Sequence, residues 1–322
     1  MLPPREKLTI CFAHVAYRFD QRFPMRNAGL RSVHVRNREE LDAAIGACDV
    51  IVCSGLWRND LPKIAPKLRF IQSISAGVDQ YDKAVLKTAG VRLASAQGAN
   101  ANAVSDHAMA LILALVRRIP EARDNQAKRS WRGMIGELSI REDELGGKTL
   151  LVVGVGRIGG RLARLAKAFD MKVIGIRRNP AAGAEGADEI HGFDKLLTLI
   201  PQADIVALTC ALTPETTGII GAEALARMKP SAYLVNVARG KVVDEPALVA
   251  ALERGSFAAA ALDVTVEEPL AATSPLWAMP NVLITPHTGG ETRRYEDAVI
   301  DLLLENLDRL GRGEAALRNQ IV

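Results

Sequence analysis

Near the middle of this 322-residue chain lies a glycine-rich turn, Gly154-Val155-Gly156-Arg157-Ile158-Gly159. The run before it, residues 148–153, is β-branched and apolar, as suits a strand buried on both faces of a parallel sheet. After it, Ile158, Leu162, Leu165 and Phe169 recur at helical spacing, so the turn joins a strand to a helix. In that setting Gly154 permits the tight turn, Gly156 lets the backbone approach a pyrophosphate, and Gly159 lets helix and strand pack closely. The helix N-terminus favours the anion. A bare G-x-G-x-x-G also fills ordinary turns, so the flanking pattern carries the reading. Its central position predicts a dinucleotide domain inserted into another domain.

The length supports two domains. Ahead of the turn, strand-like runs recur at 8–15, 33–36, 49–54, 68–75 and 91–95, separated by polar or helical stretches. Residues 104–119 are apolar on nearly all sides, which predicts a helix buried between two layers and crossing into the second domain. Beyond the turn come strand 172–176, helix 193–200, strand 204–208, helix 222–228, strand 232–237, helix 245–254, and strands 258–264 and 281–285. A last apolar helix, about 291–310, is expected to return to the first domain. The predicted class is α/β, with two Rossmann-like doubly wound parallel-sheet domains. The nucleotide domain, 103–289, interrupts a discontinuous substrate domain, 1–102 and 290–322.

Composition excludes other classes. Hydrophobic residues make up 48% and charged residues 24%, the balance of a soluble globular chain. The 41 basic residues are interleaved with 37 acidic ones, for a net charge of +4, and cluster no further than pairs. That argues against a nucleic-acid partner. The first residues lack the pattern of a signal peptide, and no apolar run suits a membrane span. Cys11, Cys48, Cys53 and Cys210 form neither a C-x-x-C nor a disulfide framework, so reduced thiols in a cytoplasm and no metal site are expected.

Groups just past the carboxyl ends of parallel strands converge on a ligand crevice. Arg239, Glu268 and His287 all occupy such positions. Histidine titrates near neutrality and suits proton transfer beside a carbon that exchanges hydride. The other histidines, His14, His34, His107 and His191, are read as structural. Glu268 can bond one imidazole nitrogen and leave the other to protonate an alkoxide, with Glu267 beside it an equal choice on physical grounds. Arg239 offers a forked donor for a substrate carboxylate. In the first domain, the turn Ser75-Ala76-Gly77-Val78-Asp79 can cradle an anion on backbone N–H groups.

These residues resemble a known family. The glycine loop, Asn236-Val237-Ala238-Arg239-Gly240, Leu262-Asp263-Val264 leading to Glu267-Glu268-Pro269, and Pro286-His287-Thr288-Gly289-Gly290 are together similar to the D-isomer-specific 2-hydroxyacid dehydrogenases, over about residues 75–291. The resemblance implies a bilobal fold with its active site in the cleft and a homodimer formed largely by the nucleotide domains. It selects Glu268, which directly precedes the proline, over Glu267. It implies Arg239 as the substrate-binding arginine, His287 as the acid/base, and Asp263 as the carboxylate meeting the nicotinamide carboxamide. Ala76, Gly77 and Val78 would hold the substrate carboxylate. Cofactor contacts are implied for Val104, Gly154, Gly156, Arg157, Ile158, Gly159, Cys210, Val237, Ala238, His287 and Gly289.

One departure from the commonest pattern is informative. Where NAD enzymes carry an acid for the ribose hydroxyls, this chain reads Gly175-Ile176-Arg177-Arg178-Asn179. Two guanidinium groups suit a 2′-phosphate, so NADP(H) is expected to be preferred, with NAD(H) possible. The expected reaction is reduction of a small 2-oxoacid of the glyoxylate or hydroxypyruvate type. The alternatives are a phosphoglycerate-type NAD-dependent dehydrogenase and a nucleotide-sensing corepressor of the same fold. Formate dehydrogenase is disfavoured, because its relatives carry glutamine where Glu268 stands. Leu56, Trp57 and Arg58 are expected to face the cleft, and Trp131 to reach a pocket across a dimer.

Overall fold

Strands alternate with helices along the chain, and among the described residues, 2–322 with the side chain of Ser139 excepted, the computed structural model arranges twelve strands in two parallel sheets. The chain divides into two units. One is built from the chain up to Asn100 together with Glu291–Val322, and the other from Ala101–Gly290.

In the first unit, β1 (Thr9–Ala13), β2 (Arg31–Val35), β3 (Val50–Cys53), β4 (Phe70–Ser73) and β5 (Arg92–Ala94) lie in the order β2-β1-β3-β4-β5. The period of two is visible in the packing. Ile10, Phe12, Val50 and Val52 enter one core, and Cys11, Ala13, Ile51 and Cys53 enter the core on the opposite face. A sheet covered on both faces needs layers on both sides. Leu41, Ile45 and Leu61 help cover one face, and the late helix Tyr295–Gly311 covers part of the other with Val299, Ile300, Leu303 and Leu307. That requirement explains why the end of the chain belongs to this unit. The helix starts four residues later than the pattern suggests, at Tyr295, whose hydroxyl donates to the Ile74 carbonyl. Fully buried Asn306 donates to Gln72 Oε1 at 3.0 Å, and the final residues pair with β5 through Ile321 N–H to Leu93 O at 2.8 Å.

In the second unit, β6 (Thr149–Val153), β7 (Lys172–Ile176), β8 (Glu189–His191), β9 (Ile205–Leu208), β10 (Tyr233–Asn236), β11 (Ala259–Leu262) and β12 (Val282–Ile284) lie in the order β12-β11-β10-β9-β6-β7-β8. The order reverses between β9 and β6, the switch point at which such sheets bind ligands. The buried side of helix Ala101–Val116, including Ala108, Leu111 and Ile112, packs on Leu150, Val152 and Val235. The single helix expected over 104–119 is two helices. Arg118 adopts a left-handed φ of +50°, and a second helix, Ile119–Ala127, begins with Pro120 in its first turn. Proline lacks the N–H to continue the first helix, and its ring would strike the Val116 carbonyl. Strand β8 was not anticipated, being a short edge strand whose side chains include Glu189 and His191.

Candidate active site

The carboxyl edge of the second sheet is shaped first by its glycines. Gly154 has a φ of +107°, and a Cβ on it would strike the Cys210 backbone. A Cβ on Gly159 would stand 2.7 Å from Thr209 Oγ1, whereas Gly156 has nothing within 4 Å. Two glycines therefore let the chain close up, and the middle one leaves room in front of helix Arg157–Ala168. No side chain caps that helix. An open face beside an uncapped helix start fits a pyrophosphate. Arg157 is exposed there and Ile158 half-buried. Cys210 is buried against the turn, and burial pushes its thiol up to about 11.

Arg239 follows β10 on a turn closed by a buried amide. Asn236 Oδ1 accepts from Ala238 N–H at 3.0 Å and Asn236 Nδ2 donates to Arg239 O at 3.1 Å. The next residue, Gly240, lies so close to Thr265 that a Cβ would overlap its backbone. This close approach ties the arginine turn to the loop of Glu268. In that loop Thr265 N–H donates to Glu268 Oε1 at 3.1 Å, and Thr265 Oγ1 donates to Glu267 O at 2.6 Å. Glu245 Oε2 accepts from Val266 N–H at 2.9 Å.

Glu268 Oε2 lies 2.7 Å from His287 Nδ1. Of the two adjacent glutamates, Glu268 is the one placed on the imidazole. The hydrogen bond to Glu268 raises the His287 pKa above its ordinary value, against the opposite pull of burial. Burial pulls the Glu268 carboxyl upward, but the bond and charge of His287, the Thr265 N–H and the charge of Arg239 together hold it below the usual range. An ionised carboxylate only accepts, so Nδ1 carries the proton and Nε2 is the nitrogen left for a reacting group. The charge of Arg239 acts on both members of the pair.

His287 itself has a left-handed φ of +54°. Its N–H donates to Asp263 O at 2.8 Å. The Asp263 side chain, only 4% exposed, accepts from Thr285 Oγ1 at 2.6 Å and from the N–H groups of Thr288 and Gly289, both at 3.1 Å. Burial would raise its pKa, but these donors and His107 hold it below the usual carboxylate range. The carboxylate that resemblance assigns to the nicotinamide carboxamide is thus also the anchor of the His287 loop. Thr265 and Thr285 escaped the sequence reading, in which Asn236 stood only as part of a motif and His107 was read as structural, because nothing in their local spacing marks them.

The remaining candidates are placed less uniformly. Val237, Ala238 and Val104 are buried in the second unit, and Gly289 is buried beside Asp263. Arg177 and Arg178 follow β7. Arg177 Nη1 donates to Gly183 O at 2.7 Å and Arg178 Nε to Glu215 Oε2 at 3.2 Å. In the first unit, Ala76, Gly77 and Val78 form a half-exposed turn after β4, and nothing among the described residues accepts from their N–H groups. Leu56 and Trp57 are core residues rather than pocket walls, with Trp57 against Tyr81 at 5.3 Å between ring centroids. Arg58 is committed to Asp42 at 2.8 Å and Asp60 at 3.1 Å.

Comparison with known proteins identifies the family. The family described as D-isomer specific 2-hydroxyacid dehydrogenase, NAD binding domain, matches residues 109–289. The chain belongs to the D-isomer specific 2-hydroxyacid dehydrogenases. Like it, the glyoxylate/hydroxypyruvate reductase B of Yersinia pestis is 37% identical over 276 residues, 84% of this chain and 83% of the relative. The D-3-phosphoglycerate dehydrogenase of Methanocaldococcus jannaschii is 37% identical over 87% of this dehydrogenase-family chain, which spans 53% of that relative's length. Among solved structures, a D-isomer specific 2-hydroxyacid dehydrogenase family protein from Aeromonas salmonicida superposes with a TM-score of 0.85 at 28% identity, covering 98% of this family member and 99% of the other chain.

Proposed function

We propose that this chain is an NADPH-preferring oxidoreductase that reduces a small 2-oxoacid, of the glyoxylate or hydroxypyruvate type, to the D-2-hydroxyacid. The observation that carries the reading is the 2.7 Å contact between His287 Nδ1 and Glu268 Oε2 on the edge that also bears Arg239. When bound, the nicotinamide supplies hydride to the keto carbon. His287 delivers a proton from Nε2 to the oxygen that gains charge, and Glu268 stabilises the doubly protonated ring. Arg239 holds the substrate carboxylate and polarises the neighbouring carbonyl. Ala76, Gly77 and Val78, in the half-exposed turn after β4, would offer backbone N–H groups to a substrate carboxylate.

Gly154, Gly156, Ile158 and Gly159 with the uncapped helix would hold the pyrophosphate, and Arg177 and Arg178 a 2′-phosphate. NAD(H) is the weaker alternative. A homodimer fits the exposed apolar arm after helix Ile119–Ala127, where Trp131 is 99% and Met134 102% exposed beside an open groove of about 840 Å³. A cytoplasmic setting fits four free cysteines. No helix of the described residues is long and apolar enough to cross a membrane.

The test is a panel of 2-oxoacids assayed with NADPH and NADH. Glyoxylate or hydroxypyruvate should give the highest kcat/KM, with NADPH ahead of NADH. No turnover of any 2-oxoacid would overturn the reading, and a clear NADH preference its coenzyme half. The kinship with D-3-phosphoglycerate dehydrogenase supports a second reading, so a phosphorylated 2-oxoacid belongs in the panel.

A further inference from the structure

The loop that carries His287 is tied to a group on another element. His107, on helix Ala101–Val116, has its Nε2 at 2.9 Å from Thr285 Oγ1 and 3.3 Å from Asp263 Oδ1. Thr285 Oγ1 is 2.6 Å from the same Asp263 oxygen. The direction of these links follows from counting protons. Asp263, met by hydroxyl, imidazole and two backbone N–H groups, is an ionised carboxylate and can only accept. The single hydroxyl proton of Thr285 therefore points to Asp263. Thr285 meets His107 with a lone pair, so His107 carries a proton on Nε2 and donates it.

Shape reinforces the order. A Cβ on Gly289 would stand 2.8 Å from Asp263 Oδ2 and 3.0 Å from the His107 ring, so the loop closes directly over this pair. Between the two tethered ends sits His287 with its left-handed backbone, a conformation that persists in a non-glycine residue when its surroundings over-determine it.

We propose that His107 is a positioning residue for His287, acting through Thr285 and Asp263 to keep the imidazole in register with Glu268. The inference rests on His287 being the proton donor. Because the Glu268 bond is the main cause of the raised His287 pKa, a loosened loop should return that pKa toward the ordinary value.

The experiment compares His107→Leu, His107→Gln, Thr285→Val and His287→Gln. The His287 titration is followed by NMR in the coenzyme-free protein, its signal assigned by its loss in His287→Gln, alongside kcat and coenzyme Kd. His107→Leu and Thr285→Val should each lower kcat by about 10- to 100-fold, with coenzyme Kd held within about two-fold. In both, the His287 midpoint should fall. His107→Gln keeps an N–H donor and should restore most of both quantities. Unchanged kcat and midpoint in His107→Leu would overturn the proposal. So would a fall in kcat with an unmoved midpoint, which a purely structural role would give, or a His107→Gln as impaired as His107→Leu. The underlying reading fails separately: if His287→Gln keeps full turnover, the proton-donor role falls and this inference with it. An inactive His287→Gln beside a normal His107→Leu removes this inference alone.

Discussion

At the β10–β12 end of the second sheet, Arg239, Glu268 and His287 stand on turns fastened by the buried polar residues Asn236, Thr265 and Asp263, whereas at the β7 end Arg178 reaches from an exposed loop with 68% of its side chain in solvent. The difference follows from the work proposed for each. Proton transfer fails when the groups shift by about an ångström, so its donors need fixed frames. A 2′-phosphate is recognised by charge, which tolerates a mobile guanidinium but is screened by salt. The first end is a matter of geometry and the second of electrostatics.

Mutations should break that contrast unequally. The largest effect is expected for His287→Gln, which should lower kcat by about three orders of magnitude with coenzyme Kd nearly intact. Steady-state kinetics with a fluorescence titration check it, and an active variant would remove His287 from its role. Glu268→Gln should cost on the order of 10- to 100-fold in kcat, since the imidazole loses its carboxylate partner while the proton donor remains. Its pH profile sharpens the point. Reduction needs protonated His287, so activity should hold below the raised pKa and fall as pH rises through it; the reverse oxidation should run the other way. In Glu268→Gln the fall should come at lower pH. A profile unchanged by that substitution would separate the pair.

Smaller effects belong to the exposed end. Arg178→Ala should weaken NADPH by roughly ten-fold in kcat/KM and leave NADH within about two-fold, the loss expected for one charge-assisted contact. Raising ionic strength should erode the preference for NADPH over NADH, yet leave the ratio of wild-type to His287→Gln turnover unchanged. Salt-insensitive coenzyme preference would show that the β7 end, too, is built on fixed geometry.

Much of this was legible in the chain. The glycine turn, the β-branched run before it and the amphipathic helix after it are local patterns, and the structure carries them as Thr149–Val153 and Arg157–Ala168. The alternation of strands elsewhere was equally local. Edge strand β8 escaped because a run of three residues, Glu189-Ile190-His191, is too short to carry a period worth reading. The break at Arg118 was signalled by Pro120 but outweighed by the apolar run around it. Leu56 and Trp57 were misread because a loop after a strand says nothing about which way its side chains turn.

The sequence by itself determined the class of the fold and the family. These depend on residue order and local periodicity. Resemblance already favoured Glu268 over Glu267, but only the tertiary structure put Glu268 Oε2 on His287 Nδ1, made Asp263 the anchor of the His287 loop, and stood His107 behind it. Each of those contacts joins groups 19 to 156 positions apart, measured from Glu268 to His287 and from His107 to Asp263. Hydrogen bonds of a few ångströms between such distant positions leave no periodic trace along a chain. They exist only once packing has brought the strand ends to one edge.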